Sequence, residues 1–96
     1  MADEILEVQI TKLRGDPTRC KARPDFAAKR GSSVRFVFAE EPDADIVFDG
    51  DSPFDSKKFK PGPMKTRSDA PDKEFSYSIS WIGGVGQGNG TGEIIG

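Results

Sequence analysis

The chain has no histidine, and among its 96 residues it has a single cysteine, a single tryptophan and a single tyrosine. Without histidine there is no imidazole to activate a serine or cysteine nucleophile, so Cys20 lacks the base such chemistry uses. General-base duty would fall to Asp, Glu, Lys or Tyr77. No spacing pairs two of these as nucleophile and base, and an enzyme is not expected. A lone cysteine also excludes an intrachain disulfide. No apolar run approaches the ~18 residues of a membrane helix, and the stretch Met1–Glu7 has neither a basic n-region nor an apolar h-region. A soluble cytoplasmic protein without a membrane partner is the expectation. A helical period over about 11 residues is missing as well, which argues against a helical fold.

An excess of one charge is missing too. The net charge is −2, yet the charges are separated along the chain. Eight basic residues lie between Lys12 and Arg35, with only Asp16 and Asp25 against them, and seven acidic residues and no basic one lie between Glu40 and Asp55. A nucleic-acid binder shows a dominant basic surface, usually with aromatic residues among the basic ones. Here the acidic block cancels the basic one, and no nucleic-acid partner is expected.

What is present is alternation. Leu6, Val8 and Ile10 alternate with Glu7, Gln9 and Thr11. Val34, Phe36 and Phe38 alternate with Arg35 and Val37. Ile46 and Phe48 share one face of Ala44–Phe48. Phe75, Tyr77, Ile79 and Trp81 alternate with Ser76, Ser78 and Ser80. Each is a half-buried strand pattern. Turn chemistry separates them: Arg14–Thr18, Lys29–Ser32 read as a hairpin connection, Asp49–Pro53, and the proline- and glycine-rich crossing stretch 57–72. That stretch is read as a loop with one short strand near Met64–Arg67 and a helical turn near Ser56–Phe59. Glycine then occupies positions 83, 84, 86, 88, 90 and 92, which reads as a long flexible loop before Ile94 and Ile95 close the chain. Ninety-six residues suit one domain, 1–96, with one core. Many short strands with Gly and Pro turns predict an all-β, Greek-key sandwich of seven to eight strands.

Three stretches, in order, resemble the cupredoxin family. Phe26–Phe36 (FAAKRGSSVRF) resembles its V-x-V-K-x-G-D-x-V-x-F hairpin. Ala44–Asp49 (ADIVFD) resembles its H-N-V-V-F-D strand. Phe75–Ile79 (FSYSI), with the glycine stretch and Gly92–Ile95 (GEII), resembles its closing strand–loop–strand. The resemblance implies a cupredoxin-like sandwich. It does not bring the metal, because type-1 copper sits on two His, one Cys and a weak axial Met. Ala44 stands where the first His belongs, Ile79 where the Cys belongs and Gly90 near the Met position; no His is present for the second. No cofactor is expected.

Family members meet partners at the loop end, here Glu40–Ala44 and Ile82–Gly90. Trp81 continues a core face, so Ile82, Val85, Gln87 and Asn89 are the expected interaction surface for an unknown protein partner. The expected role is a metal-free binding module. The alternatives are a calcium-binding module using the acidic loop and a small self-associating structural domain. Asp49, Asp51 and Asp55 have the acidic density for a hard cation but lack the twelve-residue calcium loop, and a solvated loop is the simpler reading. The glycine stretch lacks a G-K-[ST] and a following helix, so phosphate cradling is not expected. Asn89–Thr91 is a glycosylation sequon, expected to stay unused without a secretion signal, and Asn89–Gly90 is expected to mark a tight turn.

Overall fold

The computed structural model describes residues 5–20, 24–82 and 85–96, with the side chain of Pro17 excepted. The strands are β1 (Ile5–Gln9), β2 (Lys12–Leu13), β3 (Asp16–Cys20), β4 (Phe26–Lys29), β5 (Ser33–Val37), β6 (Asp45–Phe48), β7 (Lys58–Phe59), β8 (Pro63–Lys65), β9 (Glu74–Trp81) and β10 (Gly86–Ile95). No α-helix occurs among the described residues. The fold is an all-β sandwich. One sheet has the order β1-β5-β8, and the other has the order β2-β3-β10-β9-β6-β7 with β4 also on β10.

Alternation in the sequence becomes alternation of burial. Val34 and Phe36 of β5, Ile46 and Phe48 of β6, and Phe75, Tyr77, Ile79 and Trp81 of β9 all point into the space between the sheets. Burying such side chains contributes about 1.5–3 kcal/mol each, the main force holding the layers together. Phe36 lies at the centre, with ring centroids 5.6 Å from Phe26, 5.8 Å from Phe54 and 5.8 Å from Tyr77. Three of the rings around it come from β4, β7 and β9, so the aromatic cluster joins both sheets.

The structure departs from the expected pattern in four places. The sandwich has ten strand segments among the described residues, not seven to eight. The first run splits into β1 and β2, which join different sheets, and the crossing stretch contributes two short strands. Near Ser56–Phe59 the expected helical turn is instead β7, whose Lys58 and Phe59 pair with Val47 and Ile46.

Lys29–Ser32 does form a tight turn, with Ser32 N donating to Lys29 O at 3.0 Å, but it is not a hairpin. β4 runs parallel to β10, whereas β5 lies between β1 and β8. The turn is a corner between sheets. Arg30 N donates to Ile95 O on one side, and Thr66 N donates to Ser32 O on the other. The physical reason is burial: Phe26 and Ala28 must face the same core as Val34 and Phe36, which opposite layers satisfy.

The largest departure concerns the glycines. Gly86–Ile95 is not a loop but the longest strand, paired antiparallel with β9 from Gly86↔Trp81 to Glu93↔Glu74. Asn89–Gly90 lies in mid-strand, opposite Ser78 and Tyr77, so no turn forms there. Gly86, Gly88, Gly90 and Gly92 all fall on the inner face, between outward Gln87, Asn89, Thr91 and Glu93. None of the four has a positive φ, so backbone freedom is not what the positions require. They require space. A Cβ on Gly86 would meet the Trp81 indole, on Gly88 the Cys20 thiol, on Gly90 the Tyr77 ring and on Gly92 the Phe26 ring. The rings and the thiol occupy the space over the Gly86–Gly92 part of the strand, which has no side chains of its own on that face before Ile94.

Candidate contact surface

The end of the sandwich to which Trp81 leads is built from β9, β10 and the turn between them. Trp81 is 3% exposed and packs edge-on against Phe38, with ring centroids 5.0 Å apart and planes at 81°. Its indole needs the place a side chain at 86 would take, so Gly86 opposite it lets the two strands close. The chain then turns within 82–85, with Val85 N donating to Ile82 O at 3.2 Å. Gly83 and Gly84 lie outside the described residues.

Ile82 has φ 53°, the only positive value among the described non-glycine residues. A β-branched side chain in the left-handed region is a genuine outlier, and such a residue costs of order 1–3 kcal/mol. The strain does not place Ile82 in the core. It is 59% exposed, and Val85 is 64% exposed, the two most exposed large apolar residues described. An asparagine or glycine would make the turn at lower cost and without apolar surface.

Beside the turn lies an open depression of about 780 Å³. Thr18, Arg19 and Cys20 of β3 form one wall, and Val85, Gln87, Gly88 and Asn89 form the other. β3 reaches β10 at Gln87↔Arg19, which leaves the depression open around that pairing. Its charged group is the Arg19 guanidinium, 3.6 Å from the Asp16 carboxylate. Hydrogen bonds from the Thr18 hydroxyl (2.5 Å) and backbone N–H (3.1 Å) hold the Asp16 carboxyl below its ordinary range. Cys20 is half-buried, and burial pushes its thiol above the ordinary 9.0. It is therefore a neutral thiol at neutral pH and a poor nucleophile.

Ile82 and Val85 sit at this end, in the β9–β10 turn, whereas Gln87 and Asn89 are displayed outward along β10, opposite Ser80 and Ser78, instead of being carried on a loop. The 40–44 loop shares that end, since Asp45 pairs with Ser80. It is tied to the β2 region by Lys12 Nζ on Glu41 (2.6 Å) and Lys12 N on Glu40 (3.0 Å). Ala44 and Ile79 are buried at 2% and 1%. Gly90 does not join them: it faces Tyr77, two residues further down β9 than Ile79. The acidic stretch does not converge. Asp51 bonds to Arg67 at 3.3 Å and Asp45 to Lys60 at 3.0 Å. Among the described residues no three His, Cys, Asp or Glu side chains group to hold a metal ion.

Thr18, Arg19 and Cys20 escaped the sequence reading, because parallel pairing across 68 positions has no local signal. The turn beside Ile82 had a weak one: Gly83-Gly84 soon after a strand pattern marks a chain reversal. No protein-family model matches the chain, and no curated protein sequence matches it.

Proposed function

We propose that this sandwich is a binding module whose contact surface is the β9–β10 turn, Ile82 and Val85, together with the flanking depression walled by Gln87 and Asn89. The observation that carries the reading is Ile82. A sequence under no demand but folding has little reason to keep a β-branched residue at a left-handed turn position, with its apolar side chain in water. Strain held at an exposed site points to use, and paired apolar side chains rimmed by polar ones suit a protein partner. The sequence of the Ala44–Asp49 and Phe75–Ile79 stretches supports a kinship with cupredoxins, and Ala44 and Ile79 at ligand positions support a metal-free role. The absence of an imidazole base and the neutral Cys20 thiol support binding over catalysis. A cytoplasmic setting, without a nucleic-acid or membrane partner, completes the reading.

The test compares the wild-type protein with Ile82→Asn and with Val85→Ser as baits in extract from the source cell. Both variants should fold. Ile82→Asn should be up to about 1–2 kcal/mol more stable, since asparagine tolerates the left-handed region. A partner recovered by the wild type should be lost by both. Equal recovery of the same proteins by all three baits would overturn the assignment.

A further inference from the structure

Asn89 is the only asparagine in the chain, and a glycine follows it. That pair has an intrinsic reaction with water. The Gly90 amide nitrogen gives up its proton and bonds to Asn89 Cγ. The Cγ–Nδ2 bond breaks, and ammonia leaves with the proton. The succinimide ring that results is opened by water at either carbonyl, leaving an aspartyl or an isoaspartyl linkage at position 89. The isoaspartyl product routes the main chain through the former side chain and lengthens it by a carbon. Glycine after asparagine favours the reaction, because no Cβ hinders the attacking nitrogen.

The fold withholds that nitrogen. Asp49 N donates to Ser76 O at 3.0 Å, so the Ser76 peptide groups face β6 and those of Tyr77 face β10. Thr91 N donates to the Asp25 carboxylate at 2.8 Å, so its N–H points away from β9 and that of Gly90 points toward it. In an antiparallel ladder this makes Gly90↔Tyr77 the pair that exchanges N–H···O=C bonds. The nucleophile is therefore engaged. The Asn89 side chain is exposed on the outer face, the wall of the depression, with no lack of water around it.

We infer that Asn89–Gly90 is a deamidation site closed by the β9–β10 ladder and opened when β10 detaches. The isoaspartyl product cannot return to the ladder. The extra carbon must be absorbed beside Gly90, whose inner face is filled by the Tyr77 ring and the Pro24 carbonyl. Register is then lost from Gly90 to Ile95, where β10 also holds β4. Each unfolding excursion thus risks a permanent mark that prevents refolding. This inference stands whether or not the turn binds a partner.

The full chain is held at mildly alkaline pH, folded in buffer and unfolded in urea, and Asn89 conversion is followed by intact mass and peptide mapping. The Asp49–Gly50 pair can isomerise, but without a mass change. Conversion should be slower in the folded protein by at least about tenfold, as expected of an amide released only by opening of the strand. Equal rates would overturn the gating. Asn89→Gln should abolish the mass gain; its persistence would place the chemistry elsewhere and overturn the assignment. Chains converted in urea and returned to buffer should leave an unfolded fraction that matches their isoaspartyl content, while Asn89→Asp refolds like the wild type. Full refolding of isoaspartyl chains would overturn the register consequence.

Discussion

Gly90→Ala should destabilise the protein by about 2–4 kcal/mol, through overpacking and the loss of one buried hydrogen bond. The new Cβ would lie 2.5 Å from Tyr77 Cζ, 2.6 Å from its Oη and 2.8 Å from the Pro24 carbonyl oxygen. Ordinary van der Waals contact needs roughly 1 Å more. The ring has nowhere to go: Tyr77 is 1% exposed, and its centroid is 5.0 Å from Phe48 and 5.8 Å from Phe36. Its hydroxyl donates to the Pro24 carbonyl, the same atom the methyl would crowd. Overpacking of this kind costs about 1–3 kcal/mol. Parting the hydroxyl from its acceptor in a buried site adds about 1–3 kcal/mol. Lower entropy of the unfolded alanine chain returns at most ~1 kcal/mol. With a urea m-value of about 2 kcal/mol per molar, the middle of the usual range, the midpoint should fall by roughly 1–2 M. A flexible glycine loop would give the opposite sign, a small gain of about 0.4–1 kcal/mol. An unchanged or raised midpoint would therefore refute the account of β10. Gly88→Ala is the companion experiment. Its Cβ would meet the Cys20 thiol, so adding Cys20→Ala should recover part of the loss, a coupling of about 0.5–3 kcal/mol in a double-mutant cycle.

Further predictions concern single groups. Tyr77→Phe keeps the ring and removes the bond to Pro24, and should cost about 1–3 kcal/mol by urea titration; no cost would mean the bond contributes nothing. Cys20 should alkylate more slowly in the folded protein than in urea at neutral pH. Its folded pKa lies above the ordinary 9.0, so stability should hold below that value and decline as pH rises toward the folded one, read as Tm against pH; a Tm that rises there would refute it. Asp45 is held below the ordinary 3.8, first by its hydrogen bond from Lys60. Its contribution is present above 3.8 and is lost as pH falls through the depressed value, so the Tm advantage over Asp45→Asn should vanish on that acid side. An advantage constant with pH would show that the charge is not its source.

The strands β5, β6 and β9 were legible in the sequence because each carries its own period: an inward aromatic or branched residue every second position fixes which face is buried, whatever the neighbours are. The same period, written in glycine, was legible only in hindsight. Gly86, Gly88, Gly90 and Gly92 alternate as strictly as Phe75, Tyr77, Ile79 and Trp81. A glycine run has no hydrophobic signal, so local chemistry reads it as a loop. The site was partly legible for a similar reason. Ile82 and Val85 stand out as apolar residues among glycines, while Thr18, Arg19 and Cys20 reach them only through strand pairing.

By itself the sequence determined the class of fold, through alternation of inward apolar and outward polar residues in β5, β6 and β9. Tertiary structure decided what the glycines are for. Whether a glycine supplies flexibility or vacancy depends on what lies across from it, and the Trp81, Tyr77 and Phe26 rings that fill those vacancies come from β9 and β4. Only the folded sandwich brings the rings and the gaps together.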